Sequence, residues 1–343
     1  MKHPHRIPFV GVRLFAAPVL AALLAAAAPA HAEWVRRVTD GIMGTRITVE
    51  LWSEDAAQGE RGIDAVLEEM RHVDESMSTY KPTSEVSQVN ARAADGPMLI
   101  TRELYDLLAA AAGYSALTGG AFDITYASVG YLYDFRRHIH PDEAQIGRAL
   151  PAVDYHHVIL DPGKRTVYFS RPGVRIDLGG IAKGYSVDRG IDRLKGLGFT
   201  RAYVSAGGDS RIIGDRFGKP WMVGIRDPRK GEGAVITRIP LADAAISTSG
   251  DYERFFEEGG VRYHHIIDPR TGHSASKVRS ATVIGPTATR TDGLSKTAFV
   301  LGPEKAMEIY NRIEDIDAII VKLDGSVIYS KGIEPAPGHA PPQ

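Results

Sequence analysis

The 343-residue sequence predicts an α+β fold in which β-sheets are flanked by helices. Short segments with alternating or β-branched apolar residues, such as 45–51 and 280–285, indicate strands. Segments with apolar residues at helical spacing, such as 56–74, indicate amphipathic helices. The hydrophobic content of 43% is sufficient for a substantial core, in one large domain or two interleaved ones.

The first 32 residues have the features of a secretory signal peptide. They contain a basic beginning with three Lys/Arg, an apolar run at 14–28 and a small-x-small cleavage site at 30–32. The run is too short to span a bilayer, and no later stretch is long and apolar enough to do so. We therefore expect a soluble protein exported to the periplasm, with full secretion as the alternative.

Composition excludes several classes of protein. The chain has no Cys, which rules out disulfides, thiolate metal sites and a Cys nucleophile. Removing the signal peptide deletes three Lys/Arg and no acidic residue, so the net charge changes from −1 to −4. No basic stripe with interleaved aromatic residues is present, so we expect no nucleic-acid partner. The predicted organisation is a signal peptide at 1–32, a folded domain at 33–333 and a Pro-rich, disordered tail at 334–343.

The most informative stretch is 177–188, which reads DLGGIAKGYSVD. A strand predicted at 166–176 precedes it, and a helix predicted at 182–197 follows its glycines. Such a turn brings backbone amides and a helix N-terminus towards an anion. Lys183 lies in the first turn, where the helix dipole disfavours its charge. Its position indicates a ligand phosphate, or else a solvated Lys at an ordinary turn.

The remaining elements follow in order. A loop is expected at 77–90, a helix with a Thr cap at 101–118 and a polar surface insertion at 136–151, whose His138 and His140 we expect to be solvated. A helix capped by Thr291 and a further helix at 303–313 are expected near the end. Additional strands are predicted at 202–205, 221–226, 236–241, 263–267, 318–323 and 327–329.

Three side chains each have two interpretations. Met43, between two glycines, is either a core residue or the flexible wall of a pocket for a flat ligand. Tyr80, in the predicted loop, either stacks on a ring or covers the core. Asp123 either binds the edge of a base or ribose, or forms a local Asx turn.

Two further patterns carry chemistry. His264 and His265 point to opposite faces of their strand, so at least one should be buried or face a site. Glycine-rich or hydroxyl-rich turns at strand ends each contain a carboxylate, namely Asp123, Asp177, Asp209 and Asp292. Oxygen ligands without Cys suit Mg²⁺ bridged to a phosphate. The residues alone indicate an exported enzyme or binder for a phosphorylated ligand.

Taken together, the motifs resemble the ApbE-type FAD:protein FMN transferases, or flavin transferases. The matching segments occur in order and cover nearly all of the mature chain. They are 41–45 (GIMGT), 78–82 (STYKP) with Ser84 and Asn90, 120–125 (GAFDIT), 177–185 (DLGGIAKGY), 205–208 (SAGG), 247–252 (STSGDY), 264–272 (HHIIDPRTG) and 292–295 (DGLS).

The resemblance implies a fold, an activity and partners. The fold would be T-fold-related, with mixed β-sheets flanked by helices and two interleaved lobes around an FAD cleft. The activity would be cleavage of the FAD pyrophosphate, with Mg²⁺, attaching FMN through its phosphate to a Thr or Ser of an acceptor protein and releasing AMP. The acceptor would be an exported or membrane-anchored subunit of a redox complex.

The resemblance also implies site residues. The metal would be bound by the carbonyl of Gly180 and the carboxylate of Asp292. Lys183 and Asp292 would take part in catalysis, with His264, His265 or a carboxylate as the base. The residues around FAD would be Met43, Tyr80, Ala121, Phe122, Asp123, Asp177, Lys183, His265 and Ile267.

One position departs from the family pattern. Lys296 stands four residues after Asp292, where the family has a Thr that helps to bind the metal. Ser295 or Thr297 would replace that Thr only in a shifted helix. Lys296 would instead pair with Asp292 or contact the pyrophosphate, and either contact weakens a metal site. The alternatives to a transferase are therefore an FAD-binding accessory protein with little transferase activity, and an FAD pyrophosphatase.

Overall fold

The computed structural model describes residues 32–230 and 233–333. The predicted signal peptide, apart from Ala32, and the predicted tail at 334–343 lie outside the described residues. Within the described ranges, none of the helices combines the length and the apolar character that crossing a bilayer requires.

An eight-stranded sheet forms the centre of the protein, and its neighbouring strands are all antiparallel. In spatial order its strands are β1 (Glu33–Ile42), β2 (Thr45–Ser53), β6 (Ala202–Ala206), β7 (Asp209–Ile213), β10 (Ala245–Gly250), β13 (Val278–Gly285), β14 (Asp317–Lys322) and β15 (Val327–Tyr329).

Three smaller antiparallel sheets surround it. One has three strands, β3 (Met98–Leu99), β5 (Thr166–Phe169) and β4 (Val158–Asp161). The others are hairpins, formed by β8 (Trp221–Arg226) with β9 (Val235–Leu241), and by β11 (Phe255–Glu258) with β12 (Val261–His264).

Helices pack against the central sheet. The helices are α1 (Ala56–Met77), α2 (Glu85–Arg92), α3 (Arg102–Leu117), α4 (Ala127–Gly130), α5 (Glu143–Ala149), α6 (Ala182–Gly196), α7 (Ala288–Leu294), α8 (Thr297–Leu301) and α9 (Pro303–Tyr310). Of these, α1 and α6 pack on one core of the sheet, and α8 and α9 pack on another. The combination of separate antiparallel sheets and flanking helices confirms the predicted α+β class.

The central sheet is covered on both faces because side chains alternate along each strand. Ile213 packs in a core with residues of α1 and α6, whereas its neighbour Ile212 packs in a core with the β8–β9 hairpin. A third core lies under α2 and α3, and a fourth packs α8 and α9 on β13 and β14. Helices α6 and α7 contact each other, and both contact β7.

Several sequence-based boundaries were wrong. The strand expected at 166–176 ends at Phe169, because a Pro-Gly turn follows and Gly173 has a φ of 87°. The loop expected at 77–90 ends early, since Ser84 caps α2 by accepting a hydrogen bond from the Ser87 amide at 3.0 Å.

Two further expectations also need correction. Thr291 does not cap a helix; it lies inside α7, which begins at Ala288 and breaks before α8. The insertion at 136–151 contains α5 with a capping box, and Ile146 on it is buried. The rings of His138 and His140 are not simply solvated: they stack on Phe256 and Tyr263.

Candidate active site

The site forms around Asp292, a fully buried carboxylate on α7. Helix α6 approaches α7 closely because Gly184 has no side chain: a Cβ there would lie 2.1 Å from the carbonyl oxygen of Ala288. This approach lets the Gly184 amide donate to Asp292 Oδ2 at 3.0 Å. The Gly-rich turn and Asp292 are therefore brought together across more than a hundred residues of sequence.

Two lysines complete the cluster. Lys183 donates to Asp209 Oδ2, and its Nζ lies 3.7 Å from Asp292 Oδ2. Lys296 donates to Asp292 Oδ1, to the Asp292 carbonyl at 2.8 Å and to the Gly180 carbonyl at 3.2 Å. Two ammonium groups and two carboxylates thus form one buried network, which joins the turn before α6, the start of β7 and the end of α7.

The charges in this network depend on each other. Burial favours the neutral acid of Asp292, but Lys183 and Lys296 outweigh it and lower the pKa of that carboxyl. Burial opposes the charge of Lys183, but Asp209 and Asp292 outweigh it and raise the pKa of the amine. Burial, together with the charge of Asp292, raises the pKa of Asp209. Asp292 is therefore held ionised between the two ammonium groups.

Asp177 closes the other side of the turn. Its carboxylate accepts hydrogen bonds from the Gly179 amide at 2.6 Å, the Thr79 hydroxyl at 2.8 Å and the Tyr126 hydroxyl at 3.3 Å. The side-chain amide of Asn90 pairs with both the N–H and the C=O of Ile176, each at 2.8 Å. These contacts fix the segment that leads into Gly180.

The two histidines face different surroundings. His264 is buried, with its ring edge-on to Phe299, and it lines a cleft with Asp251 and Arg262. Burial lowers the pKa of His264 to about 4. His265 is half-buried on the opposite side, and no group among the described residues bonds to its Nδ1. The strand expected at 263–267 was wrong in its bounds, since β12 ends at His264. His265 follows the strand, and it is His265 on which the charges of Lys183 and Lys296 act.

The surroundings of His265 keep it neutral. Burial lowers the pKa of His265 to about 3, and the charges of Arg254, Lys183 and Lys296 act in the same direction. Sequence reasoning missed Arg254, since it stands in an ordinary charged run, Glu253–Arg254, before β11. No carboxylate within the described ranges pairs with its guanidinium, which approaches Gly44.

Met43 and Tyr80 differ from ordinary core residues, Met43 in its backbone conformation and Tyr80 in its exposure. Met43 has a φ of 54°, in the left-handed region, and contacts two separate cores. Tyr80 is 84% exposed, although large aromatic side chains usually bury most of their surface. Thr79, the neighbour of Tyr80, bonds Asp177, so the tyrosine stands beside the Gly-rich turn.

The other predicted FAD residues are engaged within the protein. Asp123 accepts hydrogen bonds from the Thr125 amide and hydroxyl and from the Tyr155 amide, at 2.6–2.8 Å. This is the local turn that the sequence left as an alternative. Burial raises the pKa of Asp123. The side chains of Ala121, Phe122 and Ile267 are buried, and Phe122 lies against Gly180.

Comparison with known proteins identifies the family. The model of the ApbE family matches residues 43–320. The chain belongs to the ApbE family. A relative from Treponema pallidum, named FAD:protein FMN transferase, is 33% identical over 310 residues, which is 85% of this chain and 86% of that protein. A Klebsiella pneumoniae protein with the same name is 32% identical over 292 residues, covering 84% and 90%.

Solved ApbE structures have the same fold. An ApbE protein from Thermotoga maritima superposes with a TM-score of 0.81 at 34% identity, over 88% of this chain and 98% of that one. The apo form of the Pseudomonas stutzeri flavinyl transferase ApbE superposes with a TM-score of 0.77 at 30% identity, over 88% of this chain and 95% of that one. The ApbE match begins at Met43 and includes Lys296, so it spans the whole cluster described above.

A divalent cation bound by Gly180 and Asp292 does not fit this arrangement. Both of these expected ligands already accept hydrogen bonds from the Lys296 ammonium. The Ser295 hydroxyl is already engaged, since it donates to the Asp292 carbonyl at 2.8 Å and bonds Ser249 at 2.7 Å, and Thr297 is fully buried in α8. Within the described ranges, His, Asp and Glu side chains nowhere form a group of three that could hold a metal ion.

Proposed function

We propose that this chain is an FAD:protein FMN transferase, which moves FMN from FAD to a Thr or Ser hydroxyl of an acceptor protein. The observation that carries the proposal is the cluster of Lys183, Lys296 and Arg254 around a neutral histidine, in a chain of the ApbE family. Curated relatives that cover most of the chain are named for this activity.

The reaction needs positive charge more than covalent chemistry. The acceptor oxygen bonds to the phosphorus of the FMN half, and the bond from that phosphorus to the bridging oxygen breaks. The bridging oxygen and its electron pair leave with AMP. Charge develops on the pyrophosphate oxygens in the transition state, and Lys183, Lys296 and Arg254 are positioned to stabilise it.

The proton of the acceptor hydroxyl needs a base, and we assign this role to His265. Its ring is neutral and its Nδ1 has no protein partner among the described residues. A bound pyrophosphate dianion would offset the nearby cations and raise its pKa, which makes it a better base in the complex than in the free protein. His264 faces a different cleft, so its ring does not reach this cluster.

The flavin ring has two neighbours in this proposal. The exposed ring of Tyr80 offers a stacking surface, and the thioether of Met43 offers an adaptable wall. Both belong to segments that contact the cluster: Thr79 bonds Asp177, and Gly44 lies beside Arg254.

We also propose that the protein acts in the periplasm, on a subunit of a redox complex. The signal-peptide pattern at 1–32 supports export. The names of the relatives specify a protein as acceptor, which agrees with transfer to an exported subunit. Magnesium, which the resemblance implies, has no role in the steps above because its expected ligands are engaged by Lys296.

A direct test uses the mature chain, FAD and a candidate acceptor domain. A fluorescent flavin band on the acceptor in a denaturing gel, with one AMP released per flavin attached, is the expected result. AMP release without a labelled acceptor would support a pyrophosphatase instead. Tight FAD binding with neither product would support the accessory protein, which is the second candidate because Lys296 occupies the expected metal ligands.

A further inference from the structure

The ammonium group of Lys296 is held in a fixed position, because each of its hydrogen-bond donors has an acceptor. An ammonium group carries three N–H bonds. The Lys296 ammonium contacts three oxygens, namely the carbonyls of Gly180 and Asp292 and the carboxylate of Asp292. Its side chain is 16% exposed and that of Asp292 is 0% exposed, so this is not a loose surface pair.

The same position would be the centre of a cation site. The carbonyl of Gly180 and the carboxylate of Asp292 converge on it from two different segments. Lys296 and Gly180 are 116 residues apart in sequence. Oxygen atoms of these kinds also bind hard divalent cations. Because the ammonium already occupies the point where they converge, and Lys183 lies next to it, a dication there would meet two like charges at close range.

We propose that the Lys296 ammonium takes the place of a divalent cation in this chain, so that its flavin site excludes the metal and neutralises the pyrophosphate with protein side chains alone. The inference rests on the proposed function for the identity of the ligand as FAD. It goes beyond that function because it changes what the reaction requires: Lys183, Lys296 and Arg254 would supply all of the positive charge.

One consequence concerns Arg254. A single ammonium brings one unit of charge less than a dication at the same point. The two lysines are also partly neutralised by Asp209 and Asp292, whereas no carboxylate within the described ranges pairs with Arg254. Arg254 therefore provides the uncompensated positive charge that a bound pyrophosphate would meet.

The test measures Mn²⁺ binding directly, by the loss of the free Mn²⁺ signal in electron paramagnetic resonance, with and without saturating FAD. The mature wild-type chain should leave the signal unchanged. Lys296→Thr, which removes the ammonium and adds a hydroxyl, should bind one Mn²⁺ per chain when FAD is present. Lys305→Thr is the matched control, since Lys305 is exposed on α9, and it should behave as wild type.

Two results would overturn the inference. One is a wild-type chain that binds one Mn²⁺ and loses this binding in Asp292→Asn. The other is a folded Lys296→Thr chain that binds none, because Lys296 would then not be what excludes the metal. The wild-type measurement does not depend on whether the Lys296→Thr variant folds.

A second measurement separates this inference from the proposed function. FAD should raise the melting temperature of the wild-type chain equally in EDTA and in Mg²⁺, and acceptor labelling should be equally fast in both. Stabilisation by FAD only in Mg²⁺ would reject the inference. FAD binding in EDTA with no labelling under any condition would retain it and reject the transferase. No stabilisation by FAD in either buffer would reject both.

Discussion

At the scale of single residues, Asp292 has the most demanding environment in the site. It is fully buried, and both of its carboxylate oxygens accept hydrogen bonds, one from the Gly184 amide and one from Lys296. A buried carboxylate is stable only when it is paired and hydrogen-bonded. The partners must therefore be considered as a set, because removing one leaves an opposite charge unpaired.

The first prediction concerns this set. Asp292→Asn should lower the free energy of unfolding by about 3 kcal/mol, because it leaves two ammonium groups without a common counter-charge. Urea unfolding at pH 7 measures the change. The double variant Asp292→Asn with Lys296→Met should recover part of the loss, since it removes one unpaired charge. A single variant as stable as wild type would show that the network contributes little.

The second prediction concerns pH and His264. Burial lowers its pKa from 6.5 to about 4, so between these values the unfolded chain binds a proton that the folded chain does not. Stability from this group is thus fully present above pH 6.5 and is lost as the pH falls towards 4. The loss should reach about 3 kcal/mol at pH 4.5, two units below the ordinary pKa of 6.5, at about 1.4 kcal/mol per pH unit.

Urea unfolding at pH 7 and pH 4.5 checks this value. His264→Gln cannot take up the proton, so its stability should change less between the two pH values than that of wild type. His138→Gln, at an exposed histidine that has no ion pair within the described ranges, is the control and should show the wild-type change. Equal changes in all three chains would mean that His264 does not cause the acid sensitivity.

Sequence reasoning located some of these residues and missed others for a physical reason. Gly180, Lys183 and Asp292 stand in recognisable segments, and the structure brings them into one cluster. Their exact partners were harder to predict. Asp209 pairs with Lys183, and the charge of Arg254 acts on Lys183. These residues come from segments far apart in sequence, so no local pattern specifies that they meet.

At the scale of elements, the site depends on how closely α6 and α7 approach. Gly184 on α6 and Ala288 on α7 are in backbone contact, and this contact sets the distance from the Gly-rich turn to Asp292. Sequence predicted α6 to within one residue but not the break between α7 and α8. That break places Lys296 against Gly180, and the apolar pattern runs through it unchanged.

The third prediction tests this approach. Gly184→Ala would place a Cβ 2.1 Å from the Ala288 carbonyl oxygen, so the helices must separate. The hydrogen bond from the backbone amide of residue 184 to Asp292 is then lost. The free energy of unfolding should fall by about 3 kcal/mol. Gly196→Ala, at the end of the same helix with nothing within 4 Å, is the matched control.

The control should be neutral or stabilising by up to about 1 kcal/mol, because alanine restricts the unfolded chain and favours helix. Thermal or urea unfolding of both variants gives the comparison. If Gly184→Ala and Gly196→Ala were equally stable, the helices would tolerate separation and the close approach would not be required.

At the scale of the whole molecule, the order of strands in the central sheet could not be read from sequence. The strands β6–β7 and β14–β15 are hairpins of adjacent segments, whereas β2 with β6, β7 with β10, β10 with β13 and β13 with β14 pair across long stretches of sequence. The fold class was predictable because the alternation of apolar residues is local. Family resemblance supplied the arrangement of the site, and solved ApbE structures confirm the fold.

The N-terminal edge of this sheet leads to the last prediction. Strand β1 begins at Glu33, directly after the expected cleavage site, and pairs with β2 along its whole length. Trp34, near the start of β1, packs edge-on against Trp52 and Trp221, with ring centroids 5.6 and 5.2 Å apart. The guanidinium carbon of Arg216 lies 4.2 Å from the centroid of the Trp34 ring. Cleavage after residue 32 keeps these contacts, whereas cleavage within β1 would remove them.

Under the proposed export to the periplasm, the mature protein should therefore have Glu33 as its first residue, which intact-mass measurement on a periplasmic fraction checks. A purified chain of residues 33–343 should unfold cooperatively, and one of residues 39–343 should lose about 3 kcal/mol or fail to fold, because Trp34 and half of β1 are missing. Equal melting temperatures for the two chains would show that the edge strand does not stabilise the sheet, and a mature mass beginning inside β1 would contradict the cleavage site.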